Sequence, residues 1–446
     1  MKTFHCNRCH HLVFFENVRC ERCDALLGYV PELGEISAFE PAGEADLWRS
    51  LHPDAAGALY RRCDNYANWN VCNWMTSADP PLGLCRSCAL TTVIPNLVSD
   101  DNRARWYRLE SAKRRLLYTL AALDLPVLPK TVDNVLEPAR DAQDASGTTP
   151  ANGVPDANGA NGTDGADGAP APVSQAGRTY SKEGVAFEFL EDTPDGERVM
   201  TGHDHGLITL NIAEADDAQR EAIRTKMHEP YRTLLGHFRH EIGHYYFDVL
   251  VADTHWNAPF RAMFGDERAD YGEALARHYR EGAPPDWNMA FVSAYASAHP
   301  WEDWAETWAH YLHMVDTLDT ATSCGLKLVP DDPAEPTLSD TSPVEDAAFD
   351  DLMQRWFPLT YALNSLNRSL GMPDGYPFAL AQGVVEKLRF VHRVIAGGVP
   401  VRETGAQSEA SASAAGANGP SADSGAGANT GASGAAPSLE QEMLDP

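Results

Sequence analysis

Eight of the nine cysteines stand within residues 6–88, and that clustering constrains the N-terminal fold more than any other feature. Cys6-x2-Cys9 is followed, after ten intervening residues, by Cys20-x2-Cys23. Each CxxC pair is a tight turn that presents two thiolates to one ion, and two such turns close a tetrahedral zinc site. Cys63, Cys72, Cys85 and Cys88 form a second set, in which only the last two make a CxxC. Four thiols that close in sequence suit a second four-thiolate zinc site; free thiols are the alternative for both sets. Neither set leaves an open coordination position, so both sites are expected to be structural, holding together a segment too short to rely on an apolar core. His5, His10 and His11 could substitute as ligands but are read as flanking the first knuckle. In a reducing compartment clustered cysteines indicate metal rather than disulfides. Cys324 stands alone and is expected to be a buried or half-buried thiol without function.

The net charge of −29 disfavours nonspecific binding to nucleic acid or anionic membranes, since both need a basic surface. The N-terminus, MKTFHCNRCHHLVFF, lacks an apolar core and a small-residue cleavage site, so it is not read as a signal peptide. No apolar run is long enough to span a bilayer. A cytoplasmic protein is expected.

Composition divides the rest. Residues 1–95 are read as a zinc-ribbon domain, 96–138 as a helical connector, 139–177 as a disordered linker, 178–400 as a second globular domain and 401–446 as a disordered tail. Linker and tail have almost no large apolar residues, so burial cannot offset their ordering entropy. RARWYRLESAKRRLLYTLAAL, residues 103–123, reads as an amphipathic helix with Trp106, Leu109, Leu116, Leu117 and Leu120 on its apolar stripe. Its arginines and lysine are assigned to a solvated face. VAFEFLED and GLITLNIAEA read as strands. The second is either an edge along which an extended peptide pairs or an ordinary sheet strand. Helical patterning runs from Asp216 to Val251, broken at Pro230, and recurs around 266–280, 288–298, 301–318, 345–370 and 380–396. Strands followed by helices predict an α+β fold: a small four-cysteine zinc-ribbon region, then a mainly helical domain with a small sheet.

The chemistry centres on GHFRHEIGHYYFD, residues 236–248. His240 and His244 are four apart and share a face of a helix, so both imidazoles can address one ion. Glu241 lies one step around, where it can take a proton from water and pass it to a leaving amine. A histidine pair on a solvated face is the bland alternative. Gly243 inside the helix costs about 1 kcal/mol relative to Ala, which suggests close packing or access there. A catalytic zinc needs a third protein ligand. Two segments offer one: FGDERADYGEAL, with Asp266, Glu267 and Asp270, and HPWEDWAETWAHYLH, with Glu302, Asp303, Glu306 and His310.

YASAHPWEDWAE resembles the glutamate helix of the compact gluzincins, the anthrax lethal factor type. That resemblance implies Glu302 as zinc ligand, Glu306 as a carboxylate orienting a histidine, and Tyr295, seven residues before Glu302, as oxyanion partner. Apart from linker and tail, the chain also resembles a bacterial family of zinc-binding metallopeptidases with an N-terminal zinc ribbon. CNWM, AKRRLLYTL and YRTLLGHFRHEIGHYYFD carry the match. The gap from His244 to Glu302 is long for a gluzincin, and Glu267, 23 residues after His244, also fits the spacing. Glu267 and His310 therefore stay open as alternatives. Asp266, Asp270, His203 and His205 are assigned to turns, caps and surface hydrogen bonds.

A zinc-dependent peptidase is expected, with one catalytic and two structural Zn2+ ions and a peptide or protein substrate. Protein docking on the ribbons is the expected partner interaction. The competing readings are hydrolysis of another amide, a catalytically inactive zinc-stabilised adaptor, and nucleic-acid binding, which the charge disfavours.

Overall fold

The cysteine turns are joined by short antiparallel strands. β1 (Phe4–His5) pairs with β2 (Leu12–Val13) around the first knuckle. β3 (Leu26–Val30), β4 (Glu35–Pro41), β5 (Trp48–Ser50), β6 (Leu59–Arg62) and, after the single turn α1 (Asp64–Ala67), β7 (Met75–Ser77) form a five-stranded antiparallel sheet in sequence order. These assignments come from a computed structural model that describes residues 2–55, 57–131, 184–192, 199–226, 229–344 and 347–398. The expected linker at 139–177 and tail at 401–446 lie outside the described residues.

β8 (Thr91–Val93), α2 (Asp100–Ala122) and β9 (Ala186–Leu190) follow, with β8 parallel to β9. β10 (Gly202–Asp204) runs antiparallel to β11 (Leu207–Asn211), which is parallel to β9. The second sheet therefore has the order β10-β11-β9-β8. GLITLNIAEA supplies an interior strand, and the edge beside it is β10. The strand stops at Asn211, whose side chain accepts from Ala213 N at 2.9 Å and starts a 3-10 turn. Phe187 and Phe189 of β9 are fully buried, with Phe238 packed against both. A strand covered on both faces reads as a near-continuous apolar run, as VAFEFL does.

On α2 the predicted stripe is buried from Trp106 to Leu120. Arg103, Arg108 and Arg115 are solvated as expected, but two basic residues depart from the sequence reading. Lys113 and Arg114 are buried with Glu110, not solvated. Lys113 Nζ donates to Glu110 Oε1 at 3.1 Å and sits 5.5 Å above the Phe187 ring. Arg114 donates to Val71 O at 2.8 Å, next to the second cysteine set. Periodicity marked the apolar residues correctly, but α2 is covered on more than one side, so Glu110, Lys113 and Arg114, off the stripe, are buried and paired.

Seven helices complete the described chain: α3 (Asp217–Lys226), α4 (Leu234–Tyr246), α5 (Asn257–Phe264), α6 (Tyr271–Glu281), α7 (Pro300–Ser323), α8 (Phe349–Ser369) and α9 (Gln382–Ala396). Thr233 caps α4 by accepting from Gly236 N at 3.0 Å. α4 and α7 pack closely, and α2 covers another side of α4. The helix predicted at 288–298 is instead two 3-10 turns, Trp287–Met289 and Tyr295–Ser297. Ser293 Oγ accepts from Ala296 N at 3.1 Å, an alternative to helical pairing that short hydroxyl side chains offer. Cys324 is exposed, contrary to the expectation that it would be buried. No helix among the described residues is long and apolar enough to cross a membrane. The architecture is α+β, a cysteine-rich strand region followed by a mainly helical part.

Candidate metal centre

Gly243 lets α4 and α7 approach. Trp304 Nε1 on α7 donates to Gly243 O at 2.8 Å. One turn before the crossing on each helix stand His240 and Glu302, and His244 follows Gly243. The Nε2 atoms of His240 and His244 lie 3.2 Å apart. Glu302 Oε2 is 3.1 Å from His240 Nε2 and 3.7 Å from His244 Nε2. Tetrahedral zinc with ligand bonds of about 2.0–2.1 Å holds its donor atoms about 3.3 Å apart. Glu302 Oε2 is buried and accepts no hydrogen bond among the described residues, despite the nearby imidazole. A buried carboxylate oxygen left without a donor is costly, and a cation removes the cost. The donor set fits zinc.

The other oxygens are engaged. Tyr271 donates to Glu302 Oε1 at 2.6 Å. His240 Nδ1 donates to Glu306 Oε1 at 2.7 Å, which leaves Nε2 as the ligand nitrogen. Ser293 donates to Glu306 Oε2 at 2.6 Å. His244 Nδ1 has no partner among the described residues; its ring is held by Trp301 at 3.9 Å and by His203 at 5.8 Å between centroids.

The cysteines gather into two separate groups. In the first, Cys6 and Cys23 sulfurs are 3.6 Å apart and Cys9 and Cys20 sulfurs 3.5 Å. In the second, Cys72 and Cys85 are 3.8 Å apart, with Cys63 and Cys88 in the same cluster. Four thiolates on one zinc, each bond about 2.3 Å, stand about 3.8 Å from one another. Backbone N–H groups point at the sulfurs: Trp74 N at Cys72 and Cys85 N at Cys63, both at 3.4 Å.

Residues 171–394 match the family described as putative zinc-binding metallo-peptidase, and residues 3–99 match a zinc-ribbon domain. The chain belongs to this metallo-peptidase family. Uncharacterized proteins of Mycobacterium tuberculosis and Mycobacterium bovis are each 39% identical to it over 396 residues, which is 89% of this chain and 95% of theirs. No solved structure matches.

In this family member the electrostatics follow from burial. Burial pushes the Glu241 carboxyl above its usual range, with nearby His240 and His237 opposing. Burial pulls His240 down, but the close carboxylates of Glu302 and Glu306 outweigh it and hold the ring well above the usual histidine value. Burial and the neighbouring His240 push His244 well below it. A site that draws positive charge to one imidazole and leaves the next one neutral suits a shared cation.

The alternative third ligands are occupied elsewhere. Glu267 pairs with Arg261, whose Nε donates at 2.9 Å. His310 bonds to the Tyr376 hydroxyl and packs on Phe378. Asp270 caps α6 by accepting from Glu273 N at 2.8 Å, and Asp266 accepts from Arg268 N at 3.0 Å. Tyr295 lies beside the site, its ring 6.2 Å from that of His240.

Three neighbours of the site escaped the sequence reading. Tyr271 sits inside a segment read only for its carboxylates. Ser293 sits in a predicted helix. His203 does accept a turn hydrogen bond, from Gly206 N at 2.6 Å, but it also stacks on His244. No local spacing links any of them to the histidine pair.

Proposed function

We propose that this chain is a zinc-dependent peptidase of gluzincin type, with one catalytic and two structural zinc ions. His240, His244 and Glu302 hold the catalytic ion, and the two cysteine sets hold the others. The observation that carries the reading is the spacing of His240 Nε2, His244 Nε2 and the unpartnered Glu302 Oε2. Zinc at such a site supplies Lewis acidity and a lowered pKa for water.

The chain's own groups do the rest. Glu241 takes the proton of the attacking water on its carboxylate and returns it to the leaving amine nitrogen. Its burial makes it a stronger base than a solvated glutamate. Glu306 orients His240 through Nδ1. Tyr295, its phenol kept protonated by burial and by the charge of Glu302, donates to the developing oxyanion. An extended peptide pairs along the outer edge of β10, which the stacking of His203 on His244 sets beside the site. Backbone pairing holds a peptide with little sequence preference. Leu12 and Phe14 are exposed next to the first knuckle and suit a protein partner docking on the ribbon.

The test counts zinc per chain by elemental analysis in the wild type, His240→Ala and Glu302→Ala, and follows peptide hydrolysis in Glu241→Gln. Three zincs falling to two in both ligand variants, with hydrolysis lost in Glu241→Gln, is the expected result. Two zincs in the wild type, unchanged in the variants, would leave the helix pair without metal and favour the adaptor.

A further inference from the structure

We propose that Tyr271 is a positioning residue that makes Glu302 a one-oxygen ligand; this rests on the zinc-site reading of His240, His244 and Glu302. The Glu302 side chain is 1% exposed, so water cannot satisfy its carboxylate. Its two oxygens have different surroundings. Oε1 accepts from the Tyr271 hydroxyl at 2.6 Å, and Oε2 faces both imidazoles with no hydrogen bond. The phenol therefore decides which oxygen turns to the ion.

The hydroxyl is held where it is by the starts of two helices. Tyr271 is the first residue of α6, directly after the cap Asp270. Its ring meets His299 edge-on at 5.3 Å and Trp301 at 5.7 Å. His299 caps α7, accepting from Trp301 N at 3.1 Å, and donates from Nε2 to Ala269 O at 3.1 Å. The same contacts thus fix Tyr271 and Glu302, which is three residues beyond His299. Tyr271 thus supports Glu302 through Oε1.

With Oε1 occupied, Glu302 binds through Oε2 alone, and the ion keeps a position for water or substrate. Removing the hydroxyl leaves Oε1 buried without a donor and frees the carboxylate to rotate both oxygens toward the metal. Loss of such a supporting hydrogen bond weakens metal binding by about 10–100-fold.

The experiment compares wild type, Tyr271→Phe, Tyr295→Phe and His240→Ala. Release of the most labile zinc to a chelator is titrated, and that site is then refilled with cobalt while the cysteine sites keep zinc. The expected result is a site about 10–100-fold weaker in Tyr271→Phe, with a changed cobalt absorption spectrum. Its cysteine-bound zinc should stay as in the wild type, and Tyr295→Phe should bind zinc normally. An unchanged affinity and spectrum in Tyr271→Phe, beside a zinc that His240→Ala abolishes, overturns the role of Tyr271 alone. Equal weakening in both tyrosine variants overturns it too. A wild type with no His240-dependent zinc overturns the site and this inference together.

Discussion

Gly243 on α4 and Ala305 on α7 meet backbone to backbone: a Cβ on Gly243 would stand 3.2 Å from Ala305 Cα and 3.1 Å from the Trp308 ring. That contact sets the distance between the histidine helix and the glutamate helix. The absence of a side chain costs helix propensity, and the close crossing offsets it. Gly243→Val should push the helices apart, destabilise the fold by about 1–3 kcal/mol and loosen the His240-dependent zinc. Urea midpoints and zinc content would show it; a variant with wild-type values in both would refute the idea that the crossing builds the site.

Glu267 and Glu306 make opposite predictions. Glu267, its side chain 12% exposed, is tied to the partly exposed Arg261, so Glu267→Gln should cost on the order of 1–3 kcal/mol and leave zinc content untouched. Glu306 holds His240 Nδ1, so Glu306→Ala should weaken zinc binding by about 10–100-fold. Chelator titration of both variants checks this. Loss of zinc in Glu267→Gln with retention in Glu306→Ala would exchange their roles.

Glu214 predicts a pH dependence. It lies 3.2 Å from Arg232 and 3.4 Å from His237, one turn before Glu241. Burial raises its carboxyl, but His237 and Arg232 outweigh that and hold it down at about 2 against an ordinary 4.5. A depressed carboxyl stabilises the fold above its unfolded pKa, and the contribution fades as pH falls from about 4.5 towards 2. Glu214→Gln should therefore cost on the order of 2–3 kcal/mol near neutrality and progressively less below pH about 4. Both cysteine sites shed metal in acid, so the quantity to measure is the difference between variant and wild type in denaturant midpoint at each pH. A difference that does not shrink in acid would contradict the assignment.

The readable parts of the sequence are those whose geometry closes within a few residues. His240 and His244 share a face because a helix repeats every 3.6 residues. CxxC pairs turn because of their spacing, and apolar alternation or clustering marks β9 and β11 as strands. The α+β order and both cysteine groupings follow from such local rules. Gly243 already signalled close packing. Pro230 already separated α3 from α4.

Tertiary structure alone decided what meets across long stretches of chain. Tyr271 reaches Glu302 over 31 residues, and Glu306 reaches His240 over 66. No periodicity distinguishes Glu302 from Glu267; Arg261 at one and the α4–α7 crossing at the other do. Lys113 and Arg114 looked solvated because helical spacing reports one apolar stripe and cannot report cover on the other sides. β10 became the sheet edge because β11 is paired on both sides, a matter of strand order that no strand carries in its own residues. Local sequence sets backbone shape and which faces are apolar. Packing of those faces, through contacts distant in sequence, chose which polar groups are buried together and so which of them can share a metal ion.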